Sequence, residues 1–114
     1  MSAACAVHDW DPSTLADLKS KLAGRQRATA LFKALSDANR TGLALALSGR
    51  ELCVCELASL LSLSVPSTSY HLRILRQERL VRARREGRRV FYTLDDEHVA
   101  AIITQAAAHV AHRE

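Results

Sequence analysis

Aromatic side chains are scarce in this sequence, with two phenylalanines, two tyrosines and one tryptophan among 114 residues. That scarcity argues against a platform on which unpaired bases stack. There are only two prolines and four glycines, so long stretches are free of helix breakers. No apolar run is long enough to span a bilayer, and the N-terminus lacks the basic-then-apolar pattern of a secretory signal. The expectation is a soluble, cytoplasmic chain with no membrane partner. Cysteine is limited to Cys5, Cys53 and Cys55, an odd count that, in a reducing compartment, favours metal ligation or thiol chemistry over a disulfide framework. Acidic excess is missing too. Sixteen Lys and Arg against twelve Asp and Glu give a net charge of +4 and a pI near 9.3, which favours an anionic partner. The length suits one domain with a modest core that dimerisation can extend.

What is present is most informative at the C-terminal end. From Asp95 to His112, alanines, valines and isoleucines recur at three and four residues with no proline or glycine, and Asp95-Asp96 suits a helix start. Helical geometry puts His98 and His109 within about 20° of one azimuth but about 16 Å apart along the axis, so one ion cannot hold both. Asp96 and His98 lie at the first end, His109 and His112 at the other. If two copies pack antiparallel, each meeting point collects one carboxylate and three imidazoles, a tetrahedral set suited to Zn(II). Two equivalent sites then imply a symmetric homodimer. Singly these residues are ordinary, because histidines near a helix C-terminus suit the dipole and acids suit its start. The joint spacing is what points to a metal.

Residues 1–11 have no sustained period and read as a flexible N-terminal arm. Cys5, His8 and Asp9 within it could make a strap that folds down when a metal binds. Residues 12–114 read as one domain. Asp11-Pro12-Ser13 starts a helix with Leu15, Leu18 and Leu22 along one face, and Gly24 stops it. A second helix passes through Ala28, Leu31, Phe32 and Leu35, and a third runs from Ala38 to Leu47. Two short helices follow, one over Glu51–Leu61 and one over Val65–Arg76, joined by Ser62-Leu63-Ser64. This is the outline of a helix-turn-helix whose second helix enters the major groove. Ser64 suits the N-cap and Pro66 the first turn, while Leu72 and Leu75 face the core. Ser67, Thr68 and Ser69 can donate to phosphates or base edges, although serines at a helix start also serve as plain caps. Tyr70, His71 and Arg73 join them as candidate DNA contacts.

Residues 80–94 alternate around Glu86-Gly87 and read as a two-stranded β-ribbon. Arg84, Arg85, Arg88 and Arg89 crowd its tip. A charge run is usually a solvated face, but a basic hairpin directly after a helix-turn-helix is better explained as a wing along the phosphate backbone.

With these motifs in hand, the chain resembles the ArsR/SmtB family of metal-sensing repressors over residues 28–112. Glu51-Leu52-Cys53-Val54-Cys55-Glu56-Leu57-Ala58 matches the family's E-L-C-V-C-[DE]-L box. Ser67-Thr68-Ser69-Tyr70-His71-Leu72 sits where the family has its recognition helix. Asp96-x-His98, ten residues, then His109-x-x-His112 matches its D-x-H-x10-H-x2-[EH] signature. The resemblance implies a mainly α (α+β) fold, a winged helix-turn-helix with N- and C-terminal dimerisation helices and a two-stranded β wing. It implies a homodimer that binds palindromic double-stranded operator DNA and dissociates on binding Zn(II) at the last helix. It further implies a second site in which Cys53 and Cys55 bind Cd(II) or Pb(II) together with the arm. Where the family often has two arm cysteines this chain has only Cys5, with His8 the substitute and Asp9 behind it. On a regular helix Cys53 and Cys55 would diverge by about 200°, so they can share a metal only if Cys53 lies at or before the helix start. In the family's usual account, the ligand matching His109 hydrogen-bonds back to the DNA-reading unit, and the carbonyl near Arg79 is the acceptor expected here.

Two other readings compete. A thiol-based redox or arsenite-responsive repressor of the same fold would use Cys5, Cys53 and Cys55. A zinc hydrolase fares poorly, because there is no H-E-x-x-H and a closed four-ligand set leaves no position for substrate. The expectation is a non-enzymatic regulator with no small-molecule partner other than metal ions.

Overall fold

The computed structural model describes residues 11–113. Asp11 caps the first helix, α1 (Pro12–Lys21), by accepting the Thr14 N–H at 3.3 Å, with Pro12 in the first turn where its missing N–H costs nothing. No residue of α1 is buried, and Leu18 and Leu22 stay exposed. A short turn leads into α2 (Arg25–Leu35), and Ser36-Asp37 into α3 (Ala38–Ala46). The Asp37 carboxylate caps α3 by accepting the Asn39 and Arg40 N–H groups at 2.9 and 3.1 Å.

After Gly49, which takes a positive φ of 80°, the chain forms a two-residue strand, β1 (Leu52–Cys53), and at once enters α4 (Val54–Leu61). Ser62 closes α4 in the left-handed conformation, and Ser64 caps α5 (Val65–Gln77) by accepting the Ser67 N–H at 3.1 Å. Strands β2 (Val81–Glu86) and β3 (Arg89–Leu94) form an antiparallel hairpin, and α6 (Glu97–Arg113) ends the described chain. No described helix is long and apolar enough to cross a membrane.

The winged helix-turn-helix expected from the sequence is present, with two differences of detail. The wing is not an isolated ribbon: β1 pairs with β3, Leu52 opposite Tyr92 and Cys53 opposite Phe91, so the sheet has three strands in the order β1-β3-β2. A two-residue strand is too short to show any period, so the cysteine box reads as helix throughout. The hairpin turn also lies one residue further on, at Gly87-Arg88, with Glu86 paired to Arg89 and Gly87 at φ 63°.

The core lies where α3, α4 and α5 meet the base of the sheet. Leu43, Leu47, Leu57, Leu72, Leu75, Leu80 and Val81 are fully buried there. The first half of α6 closes the core with Val99 and Ile103. Its second half does not pack in this way. Residues 104–112 are exposed, and Ile103, Ala106, Ala107 and Val110 line an apolar groove of about 390 Å³ against Thr41 and Leu45 of α3.

Because Leu57 has no exposed surface and sits at the junction of these elements, Leu57→Ala should cost about 2–5 kcal/mol. Urea unfolding should show a lower midpoint with an unchanged slope; a midpoint equal to that of the parent chain would contradict this placement of the core.

Candidate nucleic-acid interface and metal centres

Helix α5 has an inner and an outer face, and its inner face is fixed from both ends. Leu72 and Leu75 enter the core as expected. Thr68 and His71 accompany them, so these two are corrections to the DNA-contact set read from sequence. The Thr68 hydroxyl donates to the Ser64 carbonyl at 2.9 Å, which ties the helix start to its own cap. The His71 ring is held from α3, with Arg40 Nη1 3.2 Å from its Nδ1. Guanidinium groups only donate, so Nδ1 is the acceptor and the ring carries its proton on Nε2. The Asp37 carboxylate lies 4.0 Å from the same nitrogen. The Arg40 N–H, donated at the helix start, holds the Asp37 carboxyl below the ordinary carboxylate range, helped by the Asn39 N–H and the nearby Arg40 charge.

The outer face carries Ser69, Tyr70 and Arg73, all exposed, with the Arg73 guanidinium 5.7 Å from the Tyr70 ring centre. Ser67 is half-buried at the cap. Arg76 belongs to this face although it falls outside the motif that marks the helix start. It is exposed and shares an azimuth with Ser69 to within about 20°, a signal that the helical period already contains.

The four arginines near the wing tip are not equivalent. Arg84 grips Glu51 with both ends of its fork, Nε to Oε2 at 2.7 Å and Nη2 to Oε1 at 2.6 Å. It also pairs with Glu86 at 3.0 Å and lies 4.9 Å from the Phe91 ring centre. This pairing pushes the Glu51 carboxyl down and the Arg84 guanidinium up from their ordinary values. Arg89 extends its Nη2 to within 3.3 Å of Cys53 Sγ, and its guanidinium lies 5.2 Å from the Phe91 ring centre. Arg85 and Arg88 are exposed and form no ion pair among the described residues. Of these four, Arg85 and Arg88 are the ones whose charge is left free for phosphates, and Arg73 and Arg76 are likewise exposed on α5.

Two groups of side chains are the candidates for holding a metal. At the start of α6, Asp96 Oδ1 accepts the Val99 N–H at 3.0 Å, while Oδ2 stands 3.5 Å from His98 Nδ1. The Val99 N–H, followed by His98, holds the Asp96 carboxyl below its ordinary range. His98 is almost fully exposed, and His109 and His112 are exposed at the other end of the helix. Among the described residues, no three His, Cys, Asp or Glu side chains come together as a metal cluster. Among the described residues, the side chains expected to bind zinc therefore lie as two separate pairs, one at each end of α6.

The thiol group is better gathered. Cys53 is the N-cap of α4, which meets the condition for the two cysteines to share an ion. Its own N–H donates to Glu56 Oε1 at 2.9 Å, the chief reason the Glu56 carboxyl lies below its ordinary value. Cys53 is buried and Cys55 exposed, and both line a cleft of about 440 Å³ with Glu56, Ser59, Leu60 and Arg89. Two thiols suit a soft cation and leave coordination positions to be filled from elsewhere. Cys5, His8 and Asp9, the arm residues expected to fill them, lie outside the described residues.

Comparison with known proteins agrees with this geometry. The family described as "Bacterial regulatory protein, arsR family" matches residues 34–83. A transcriptional repressor SmtB homolog of Synechocystis is 45% identical over 85 residues, covering 75% of this chain and 64% of that protein. A cadmium resistance transcriptional regulatory protein CadC homolog of Staphylococcus aureus is 44% identical over 80 residues, covering 69% and 66%. The chain thus spans just under two thirds of the length of these curated relatives. Among solved structures, reduced HlyU from Vibrio cholerae matches with a TM-score of 0.72 and 37% identity, covering 76% of this chain and 92% of that one. A homodimeric winged helix-turn-helix DNA-binding domain from Mycobacterium bovis matches with a TM-score of 0.76 and 27% identity, covering 82% and 86%. The curated relatives are named as regulators of transcription, HlyU of Vibrio cholerae as a transcriptional activator, and none as an enzyme.

Two measurements check the site. The Asp37 carboxylate is depressed in the folded chain, so its contribution is complete above the ordinary carboxylate value and is lost as pH falls through the folded one. Asp37→Asn keeps a capping oxygen without the charge, and should lose less stability than the parent between about pH 7 and pH 3 by urea unfolding. Equal losses would contradict the cap. On the wing, Arg85→Ala and Arg88→Ala should weaken binding to every duplex alike and lower the slope of log affinity against log salt by about one for each phosphate left unneutralised. Weakening confined to one sequence would assign these side chains to base reading instead.

Proposed function

The chain belongs to the ArsR family of bacterial regulatory proteins, and from that premise we propose that it is a metal-responsive transcriptional repressor. As a homodimer it binds a palindromic operator and releases it on binding Zn(II), or Cd(II) and Pb(II) at the thiols. The observation that carries this reading is the division of ligands along α6, with Asp96 and His98 at one end and His109 and His112 at the other, and an apolar groove beside the second half. A second copy running antiparallel would cover that groove and bring the half-sets together, so that Asp96 and His98 of one subunit meet His109 and His112 of the other. The Mycobacterium bovis neighbour, named as a homodimer, supports such pairing.

The donor set fits a zinc ion, which would supply a fixed tetrahedral cross-link between the two subunits. Asp96 is already turned toward this task, since one carboxylate oxygen is spent on the Val99 N–H and the other is left beside His98. Release of DNA requires that the cross-linked dimer hold its two α5 helices at a spacing that no longer matches successive major grooves. A coupling of about 1–3 kcal/mol between the sites is the usual scale. The far ring nitrogen of His109, hydrogen-bonded to the carbonyl at Arg79 beyond the end of α5, is the proposed link between the last helix and the reading head. Arg79 itself sits in the left-handed conformation at φ 58°, where α5 turns into β2.

The test is an operator-binding titration with zinc. His109→Ala should bind operator as the parent does in the absence of metal and should no longer release it when zinc is added. Unchanged release would remove α6 from the sensing role, and a chain that stays monomeric would remove the shared site altogether.

A further inference from the structure

Arg89 is the second residue after Gly87 in the wing turn, and its side chain runs back along β3. It passes the Phe91 ring and enters the cleft of Cys53 and Cys55, where Nη2 stops 3.3 Å from Cys53 Sγ. Arg84, two residues before Glu86 on the paired strand, flanks the same ring and is locked to Glu51. Beyond the β1–β3 pairing at its base, the wing that carries Arg85 and Arg88 is therefore moored to the segment around β1 by two side-chain contacts, one to a carboxylate and one to a thiol. Of the two, the thiol is the one that a soft metal ion prefers. Arg89 has no ion pair of its own among the described residues, so the sulfur is its principal anchor.

We propose that Arg89 couples the thiol cleft to the wing: a thiophilic cation that takes Cys53 Sγ expels the Arg89 guanidinium, and the wing tip loses the tether that sets Arg85 and Arg88 against the phosphate backbone. This rests on the reading of Cys53 and Cys55 as a site for soft ions. An ion bonded to the sulfur at about 2.3 Å would stand within a few ångströms of a guanidinium that lies 3.3 Å from the same atom, and two positive charges at that separation in a partly enclosed cleft repel. The coupling is reciprocal, so DNA held by the wing opposes cation binding at the thiols to the same extent. The His98–His109 site acts through the dimer, whereas this route runs within one chain.

The experiment uses the full chain with His109→Ala as background, so that any metal response comes from the thiols. Cadmium chloride is titrated while thiolate-to-cadmium charge-transfer absorption reports its binding and anisotropy of a labelled mixed-sequence duplex reports wing contact. Arg89→Ala should bind cadmium several-fold tighter, and its duplex affinity should scarcely change on adding cadmium. Arg89→Lys should restore part of the response, which a merely space-filling role would not require. Cadmium affinity and duplex response equal to those of the background would overturn the proposal. A metal-free double-mutant cycle of Arg89→Ala with Cys53→Ala provides an independent arm, with Cys53→Ser in reserve should the alanine variant not fold. Non-additive weakening of duplex binding supports the tether, and additive weakening overturns it. If the background chain shows no charge-transfer band, the thiol-metal reading falls, while this cycle still decides for or against Arg89.

Discussion

Burial of one face of α5 is the constraint from which the interface takes its shape. Thr68, His71, Leu72 and Leu75 repeat at the helical spacing and enter the core together, which fixes the rotation of the helix about its axis and so decides that Ser69, Tyr70, Arg73 and Arg76 face outward. Two polar groups share in this burial, and both are satisfied: Thr68 by the Ser64 carbonyl, His71 by Arg40. A polar contact demands direction as well as proximity, so the ring of His71 registers α5 against α3 more narrowly than leucines alone could. The reading helix is thereby keyed to the helix that also lines the groove against α6.

Arginine is the second organising element, and the fold spends it unevenly. Arg40 secures α5, Arg84 secures the wing to Glu51, and Arg89 reaches Cys53, each with its fork engaged by another part of the chain. Others remain for an external anion. The division has a physical logic: guanidinium binds carboxylates in a planar, two-point manner that suits a rigid joint, and a flexible exposed chain suits a phosphate backbone whose position varies. A count of basic residues would overstate the charge available to DNA.

Much of this was legible in the sequence. The α5 cap at Ser64, the inward Leu72 and Leu75, the hairpin and the helix start at Asp96 all follow from local patterns, and the structure has them. The inward turn of Thr68 and His71 was legible too, since they share the spacing of Leu72 and Leu75, but their polar chemistry suggested an outward role. What local pattern could not supply were partners distant in sequence. Glu51 and Arg84 are 33 residues apart, Cys53 and Arg89 are 36, and the β1–β3 pairing rests on two residues. Such pairings depend on how the sheet closes, which no window of adjacent residues encodes. His98, His109 and His112 lie on α6 and Asp96 just before it, as their spacing implied, and their role as ligands shared by two copies belongs to the proposed function.

If α6 offers half a coordination sphere at each end, as proposed, the response depends on dose. Where completion needs a second molecule, occupancy by the ion rises with the abundance of the polypeptide as well as with the ion itself. On the proposed reading, a cell that makes little of this regulator would respond later to a given influx than one that makes much, and the threshold becomes a property of expression.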